Sequence, residues 1–181
     1  ECEIYGLPDL STFCGAVVLY ATINNSVARD TTRKLLARFP DLPVVSFDYP
    51  LEDAINVTCD DRASLLDLLA HLTDDHHARR LAFVSGPADN AVAQNRLATF
   101  RQFLRERSIQ LPASYVQYGD FIREGGLRAA EHFCTCGDPI PEAIVCANDD
   151  MALGLMEGLS NHGYQVPKDV LVTGFDATDE R

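Results

Sequence analysis

Short apolar runs alternate with longer amphipathic stretches along most of the chain. The runs are apolar at successive positions, a pattern typical of strands buried on both faces of a parallel sheet. They predict strands at 15–21, 44–48, 55–59, 79–86, 114–120, 143–147 and 169–176. Helical periodicity predicts helices at 28–39, 60–72, 90–108, 123–133 and 149–163, with Gly125-Gly126 expected to weaken the first turn of the fourth. This alternation predicts an α/β fold with doubly wound parallel sheets.

Charge and cysteine usage narrow the function classes. Lys and Arg total 15 against 27 Asp and Glu, a net charge of −12, so this segment is not expected to bind nucleic acid by itself. The six cysteines are irregularly spaced in a chain large enough to fold without disulfides, which predicts a reduced, cytoplasmic protein. No apolar run approaches the ~20 residues that a membrane span needs. The start, Glu1-Cys2-Glu3, resembles neither a signal peptide nor a natural beginning, which suggests a piece of a longer protein.

No metal site is predicted. The cluster His132-Phe133-Cys134-Thr135-Cys136 has no second half, whereas a structural zinc site takes four ligands at recognisable spacings. All five histidines are interpreted as ordinary surface or core residues, because none has a partner at catalytic spacing.

Polar side chains follow almost every predicted strand. Ligands bind outside the carboxyl ends of strands in open parallel sheets, so these positions form a candidate site. A rim of amides, carboxylates and one aromatic ring suits a neutral, hydroxyl-rich small molecule. The alternative is that such residues only form turns or cap helices. The positions are Asp48, Asp60-Asp61, Ser85-Gly86, Gly119-Asp120-Phe121, Asn148-Asp149-Asp150 and Gly174-Phe175-Asp176.

Four motifs together resemble one family. "VSGPADNAVAQNRLATF", "YGDF", "AIVCANDDMALG" and "VPKDVLVTGFDATDE", in this order and spacing, are similar to the effector-binding domain of LacI/GalR-type transcription regulators. The resemblance covers about residues 14 to 180. It implies the class I periplasmic-binding-protein-like fold, in which two doubly wound α/β lobes surround a ligand cleft. On this basis residues 1–79 are expected to be part of the N-terminal lobe and 80–181 the C-terminal lobe.

The resemblance also implies a ligand site. Arg96 matches an arginine that family members direct at ligand hydroxyl or carboxylate groups, and Asn148 and Asp176 match polar ligand contacts. Phe121 matches a ring that stacks on the effector, and Asn90 lies where a further contact occurs. Asp149 is expected to be the helix cap.

The departures from the family pattern affect the output of the protein. The family's first two strands with their helices, its N-terminal helix-turn-helix and its final segments have no counterpart here, so the N-terminal lobe is expected to be incomplete. The resemblance implies a homodimer that reaches DNA only through a separate helix-turn-helix and signals by ligand-dependent lobe closure. However, "DDHHARR" is similar to family members that serve as sensors for histidine kinases or diguanylate cyclases, which is the alternative output.

Enzymatic alternatives lack their required residues. A phosphate-accepting receiver would need a Lys after the last strand, where Asp176-Ala177-Thr178 stands. The sequence contains no Gly-x-Gly-x-x-Gly turn, no Gly-x-Ser-x-Gly elbow and no phosphate-loop Lys. We therefore expect a binding domain that is not an enzyme and needs no cofactor.

Overall fold

The computed structural model describes residues 9–19, 26–48 and 51–177. Two compact units make up the chain, Glu1–Cys59 and Asp60–Arg181. This boundary lies earlier than the one expected at 79/80, because helix α2 (Arg62–Ala70) packs with the second unit. Its Leu65 and Leu69 are buried in that unit's core, and its Arg62 guanidinium donates hydrogen bonds to Thr99 and Gln102.

The first unit contains a three-stranded parallel sheet. Its elements are β1 (Ala16–Leu19), α1 (Ser26–Leu36), β2 (Val44–Phe47) and β3 (Ile55–Val57), and the strand order is β1-β2-β3. One face of the sheet is covered, with Val18 and Ser46 buried. The opposite face is apolar but exposed at Val17, Leu19, Phe47, Ile55 and Val57. The last two residues of the predicted strand 15–21 lie outside the described residues.

The second unit is built on a four-stranded parallel sheet of order β5-β4-β6-β7. Strands β4 and β6 are buried at every position, which is why their sequences are continuously apolar. The predicted α/β fold with parallel sheets is thereby confirmed. The elements are β4 (Leu81–Ser85), α3 (Ala91–Glu106), β5 (Val116–Tyr118), α4 (Arg123–Thr135), β6 (Ala143–Cys146), α5 (Asp149–Asn161) and β7 (Leu171–Thr173).

Helices α4 and α5 pack unusually closely, and glycines make this packing feasible. A Cβ added to Gly126 of α4 would lie 1.9 Å from the Met151 carbonyl oxygen of α5. A Cβ on Gly154 of α5 would lie 1.9 Å from the Arg123 carbonyl oxygen of α4. The Gly125-Gly126 pair, expected to weaken the helix, is therefore a contact surface: both residues are buried, and the helix runs through them.

The connections of the sheet reverse direction between β4 and β6, at whose carboxyl ends open α/β sheets have their binding crevice. The chain leaves β4 toward β5 on one side, and leaves β6 toward β7 on the other. Right-handed crossovers place α3 on one face of the sheet and α4 and α5 on the opposite face. Ligands of open α/β sheets bind at such a reversal of strand order.

Among the described residues, no helix is both long and apolar enough to cross a membrane.

Candidate functional site

Arg96 links three elements at this crevice. Its Nε donates to Asp61 Oδ2 over 2.6 Å, and a terminal nitrogen donates to the Ala147 carbonyl oxygen at the end of β6 over 2.5 Å. The guanidinium carbon lies 3.7 Å from the centre of the Phe175 ring, which follows β7. The side chain is only 11% exposed. A guanidinium has five N–H groups, so the described contacts leave several available for a ligand.

Asp61 and Phe175 belong to the site, although the sequence analysis did not select them as ligand-contacting residues. Asp61 is the N-cap residue of α2, yet its side chain makes no capping hydrogen bond and instead holds Arg96. Both positions had been recognised as following apolar runs. No sequence pattern indicated that they converge on Arg96, because that contact depends on the sheet order.

The cap of α5 is Asn148, and the expectation that Asp149 is the cap is wrong. The Asn148 Oδ1 accepts a hydrogen bond from the Met151 N–H over 3.1 Å, and its Nδ2 donates to the Phe121 carbonyl oxygen over 2.8 Å. The Asp149 N–H instead bonds the Phe175 carbonyl oxygen, over 2.9 Å. Asn148 is thus buried and used at both ends of its amide, and it positions the segment that carries Phe121.

Phe121 lies beside the end of β4. A Cβ added to Gly86 would come within 2.2 Å of the ring's Cζ, so only glycine allows the ring this position. Phe121 has φ of 65°, in the left-handed region that costs a non-glycine residue energy. Its ring packs against the core of the second unit and remains half-buried.

The remaining predicted contacts, Asn90 and Asp176, differ in their surroundings. Asn90 is buried and caps α3 through a bond from the Ala93 N–H over 3.0 Å, the structural role that the alternative interpretation anticipated. Asp176 is exposed and has φ of 109°, a second positive value at a predicted contact. The structure therefore gathers Arg96, Asp176, Asn148 and Phe121 at the carboxyl ends of the strands. Asn90 stands at the start of the neighbouring helix.

The rim carries more negative than positive charge. Desolvation raises the pKa of the Asp176 carboxyl above its ordinary value, even though the residue as a whole is exposed. Arg96 opposes this shift, whereas Asp149, Asp150 and Asp61 reinforce it. Asp176 thus lies in the field of three further carboxyl groups and one guanidinium, which favours ligands that donate hydrogen bonds and disfavours anions.

The arrangement is suited to binding a small polar molecule. Carboxylate oxygens accept hydrogen bonds from hydroxyl groups, the guanidinium donates them, and an aromatic ring contacts the apolar face of a sugar or base.

Within the described part of the chain, no group of three or more His, Cys, Asp or Glu side chains is arranged to hold a metal ion.

Comparison with known proteins identifies the class. Residues 69–180 match the family model of the periplasmic binding protein-like domain. The ribose operon repressor of Escherichia coli strain K12 is 32% identical over 148 residues, which are 80% of this chain and 44% of that protein.

Solved structures agree with this match. A sugar-binding LacI-family transcriptional regulator from Escherichia coli aligns with a TM-score of 0.69 and 26% identity, over 82% of this chain and 53% of its own. The transcriptional regulator CelR in complex with cellobiose aligns with a TM-score of 0.77 and 25% identity, over 91% and 49% of the two chains.

The chain belongs to the periplasmic binding protein-like domain family, as an effector-binding domain of the LacI/GalR type. The expected resemblance is therefore confirmed. The chain spans less than half the length of the curated relatives that it matches, and those relatives are transcriptional repressors.

Proposed function

We propose that the chain senses a neutral, hydroxyl-rich small molecule, similar to a sugar or a nucleoside, for a bacterial transcription regulator. The observation that carries this proposal is the guanidinium of Arg96, which Asp61 holds at the reversal point of the sheet beside Asp176, a carboxyl group that also feels the charges of Asp149 and Asp150. A phosphorylated or otherwise anionic ligand would meet the negative rim at close range. The cellobiose complex of CelR supports a carbohydrate, because that regulator aligns over 91% of this chain.

The proposed roles follow the contacts. Arg96 donates to ligand oxygens with its free N–H groups, and Asp176 accepts from ligand hydroxyls. Phe121 offers its ring to the apolar face of the ligand. Asn148 acts mainly through Phe121, whose carbonyl it holds. Asn90 shapes the rim beside the end of β4, because its Oδ1 is occupied by the cap of α3.

The output that we propose is allosteric. Ligand favours one closure of the two lobes, and so one arrangement of a cytoplasmic homodimer. A separate N-terminal helix-turn-helix would then carry the change to DNA, since the matched relatives are repressors. We infer that the domain itself binds its ligand without transforming it. A histidine kinase or diguanylate cyclase domain is the alternative output.

A thermal-shift screen with sugars, nucleosides and amino acids, followed by calorimetry on each ligand that stabilises the protein, tests the site. Arg96→Lys keeps the charge but loses the planar fork, and is expected to weaken binding at least tenfold. Arg101→Lys is the matched control, because Arg101 is exposed on the same helix. Equal affinity of wild type and Arg96→Lys for every ligand found would refute the assignment of Arg96.

A further inference from the structure

A pair of histidines lies at the opposite end of the second unit, near the start of β4. Helix α2 ends at Ala70 and the chain continues as a π-helical turn, His71–Asp75, in which the His76 N–H bonds the His71 carbonyl oxygen over 3.3 Å. In an α-helix, side chains five residues apart point about 140° away from each other. The wider π turn brings them onto the same side, so His71 and His76 meet.

The two imidazoles bring their Nε2 atoms together. The Nε2 atoms are 3.1 Å apart, and the ring centres are 4.7 Å apart with the rings perpendicular. A linear hydrogen bond between them would separate the centres by about 5.4 Å, taking each nitrogen as ~1.15 Å from its ring centre. An ion bound to both nitrogens at ~2.05 Å would separate the centres by about 4.8 Å. The observed separation is shorter than that of a linear hydrogen bond and close to the chelating value, so an ion can replace the bent hydrogen bond with little movement of the rings.

The coordination angle agrees as well. At that bond length, nitrogens 3.1 Å apart subtend roughly 100° at the ion, between the ~90° of an octahedral site and the ~109° of a tetrahedral one. Either geometry is therefore accessible without moving the backbone.

A carboxylate prepares the first histidine for this role. The Nδ1 of His71 lies 2.6 Å from Asp75 Oδ2, which places the ring proton of neutral His71 on Nδ1 and makes its Nε2 the acceptor of a hydrogen bond from His76 that a bound ion would replace. A carboxylate bonded to the far nitrogen of a histidine is the usual support of a metal-bound imidazole. The neighbouring Asp74 is paired with Arg107, so Asp75 supplies the local negative charge.

We propose that His71 and His76 form a two-ligand site for a divalent transition-metal ion such as Zn²⁺, Cu²⁺ or Ni²⁺. Imidazole ligands select these ions over Mg²⁺ and Ca²⁺. Water completes the coordination sphere, since His71 is 54% exposed and no third protein ligand joins the pair within the described residues. The ion exchanges freely and does not compete with the effector, which we place at the other end of the sheet. The His-x4-His spacing is one that zinc ligands use, but the sequence did not single out this pair because it offered no further ligand and no sign of the π turn that brings the rings together.

Calorimetric titration of the untagged chain with Zn²⁺, in the presence of a phosphine reductant, tests the pair. His71→Ala and His76→Ala are each expected to weaken binding at least tenfold, and Asp75→Asn by about tenfold. His162→Ala is the matched control, because His162 also pairs its Nε2 with a carboxylate, Glu131 at 2.7 Å, but contacts no other histidine among the residues that the structure describes. It is expected to bind as wild type.

Two results would overturn the proposal. One is wild-type Zn²⁺ affinity in both single variants. The other is an undiminished binding heat in the double variant, which would assign the ion to the exposed thiols of Cys14, Cys59 or Cys136. Nitrogen-15 NMR of the histidine rings supplies a second readout, with Nε2 shifts expected at His71 and His76 alone.

Discussion

The contact between Arg96 and Asp61 predicts a measurable coupling energy. The two side chains are 11% and 16% exposed and 2.6 Å apart, so each lies in a region largely shielded from water. Replacing Asp61 with Ala leaves a guanidinium without its charged partner in that region. Replacing Arg96 with Ala removes three interactions at once, with Asp61, the Ala147 carbonyl and the Phe175 ring.

The magnitude follows from the degree of burial. Breaking a fully buried ion pair costs about 3–5 kcal/mol. With this residual exposure, we expect Asp61→Ala to lower the free energy of unfolding by about 2–3 kcal/mol. Arg96→Ala also loses a charged hydrogen bond and a stacking contact, so about 3–5 kcal/mol is expected. The coupling energy of the double-mutant cycle is expected at about 1.5–3 kcal/mol.

Urea denaturation measures the free energy of unfolding of wild type, the two single variants and the double variant. Far-UV circular dichroism is the signal, because the chain has no Trp for fluorescence. Hydrogen exchange at the β6 amides assigns the transition to the second unit. The pair Arg128–Asp120 is the control: it is also short, at 2.7 Å, but its side chains are 60% and 39% exposed. Its coupling should not exceed ~1 kcal/mol. A coupling for Arg96–Asp61 no larger than that of the control would refute the reasoning from burial.

Three further outcomes are expected. Gly126→Ala forces a Cβ toward the Met151 carbonyl and should cost at least about 1–3 kcal/mol of unfolding free energy in urea, or fail to express if the helices cannot separate. Asn148→Asp keeps the helix cap but sets a carboxylate oxygen against the Phe121 carbonyl oxygen, so calorimetry should show weaker effector binding and thermal denaturation a lower melting temperature. Because the pKa of Asp176 is raised in the fold, its ionised form is disfavoured there and stability should fall as pH rises from about 3.8 through that raised pKa. Asp176→Asn should remove this pH dependence in thermal denaturation, together with effector binding. A pH profile of stability in Asp176→Asn that is identical to that of wild type would contradict the assignment of this pH dependence to Asp176.

The hydrophobic pattern of the sequence was sufficient to predict most of the fold. The continuous apolar runs of β4 and β6 could be assigned because strands buried on both faces leave no alternation to misread. The boundary between the two units was harder to predict from the sequence. It depends on which core receives Leu65 and Leu69 of α2, and an amphipathic helix does not specify its partner in its own sequence.

The site was predicted in part for the same reason. Parallel strands place their carboxyl ends together, so Asn148 and Asp176 could be expected at one edge, whereas Arg96, in the middle of α3, was expected there only from the family resemblance. Asp149 was wrongly expected to be the cap in place of Asn148, because both residue types cap helices about equally well and the sequence does not show which residue precedes the first turn. The π turn after α2 was not predicted either, because no residue preference distinguishes a π turn from an ordinary helix end.

The position of Asp61 suggests how binding and signalling are joined in the proposed function. Arg96 is the side chain proposed to bind the ligand, and its Nε is held by Asp61, the second residue of the unit that begins at Asp60. If the ligand acts as proposed, an oxygen that draws the guanidinium away from Asp61 would disrupt a largely buried contact within the second unit. Breaking such a contact costs a few kcal/mol, which is comparable to the 1–3 kcal/mol of typical allosteric coupling. The proposed ligand contact is therefore of the magnitude that an allosteric signal requires.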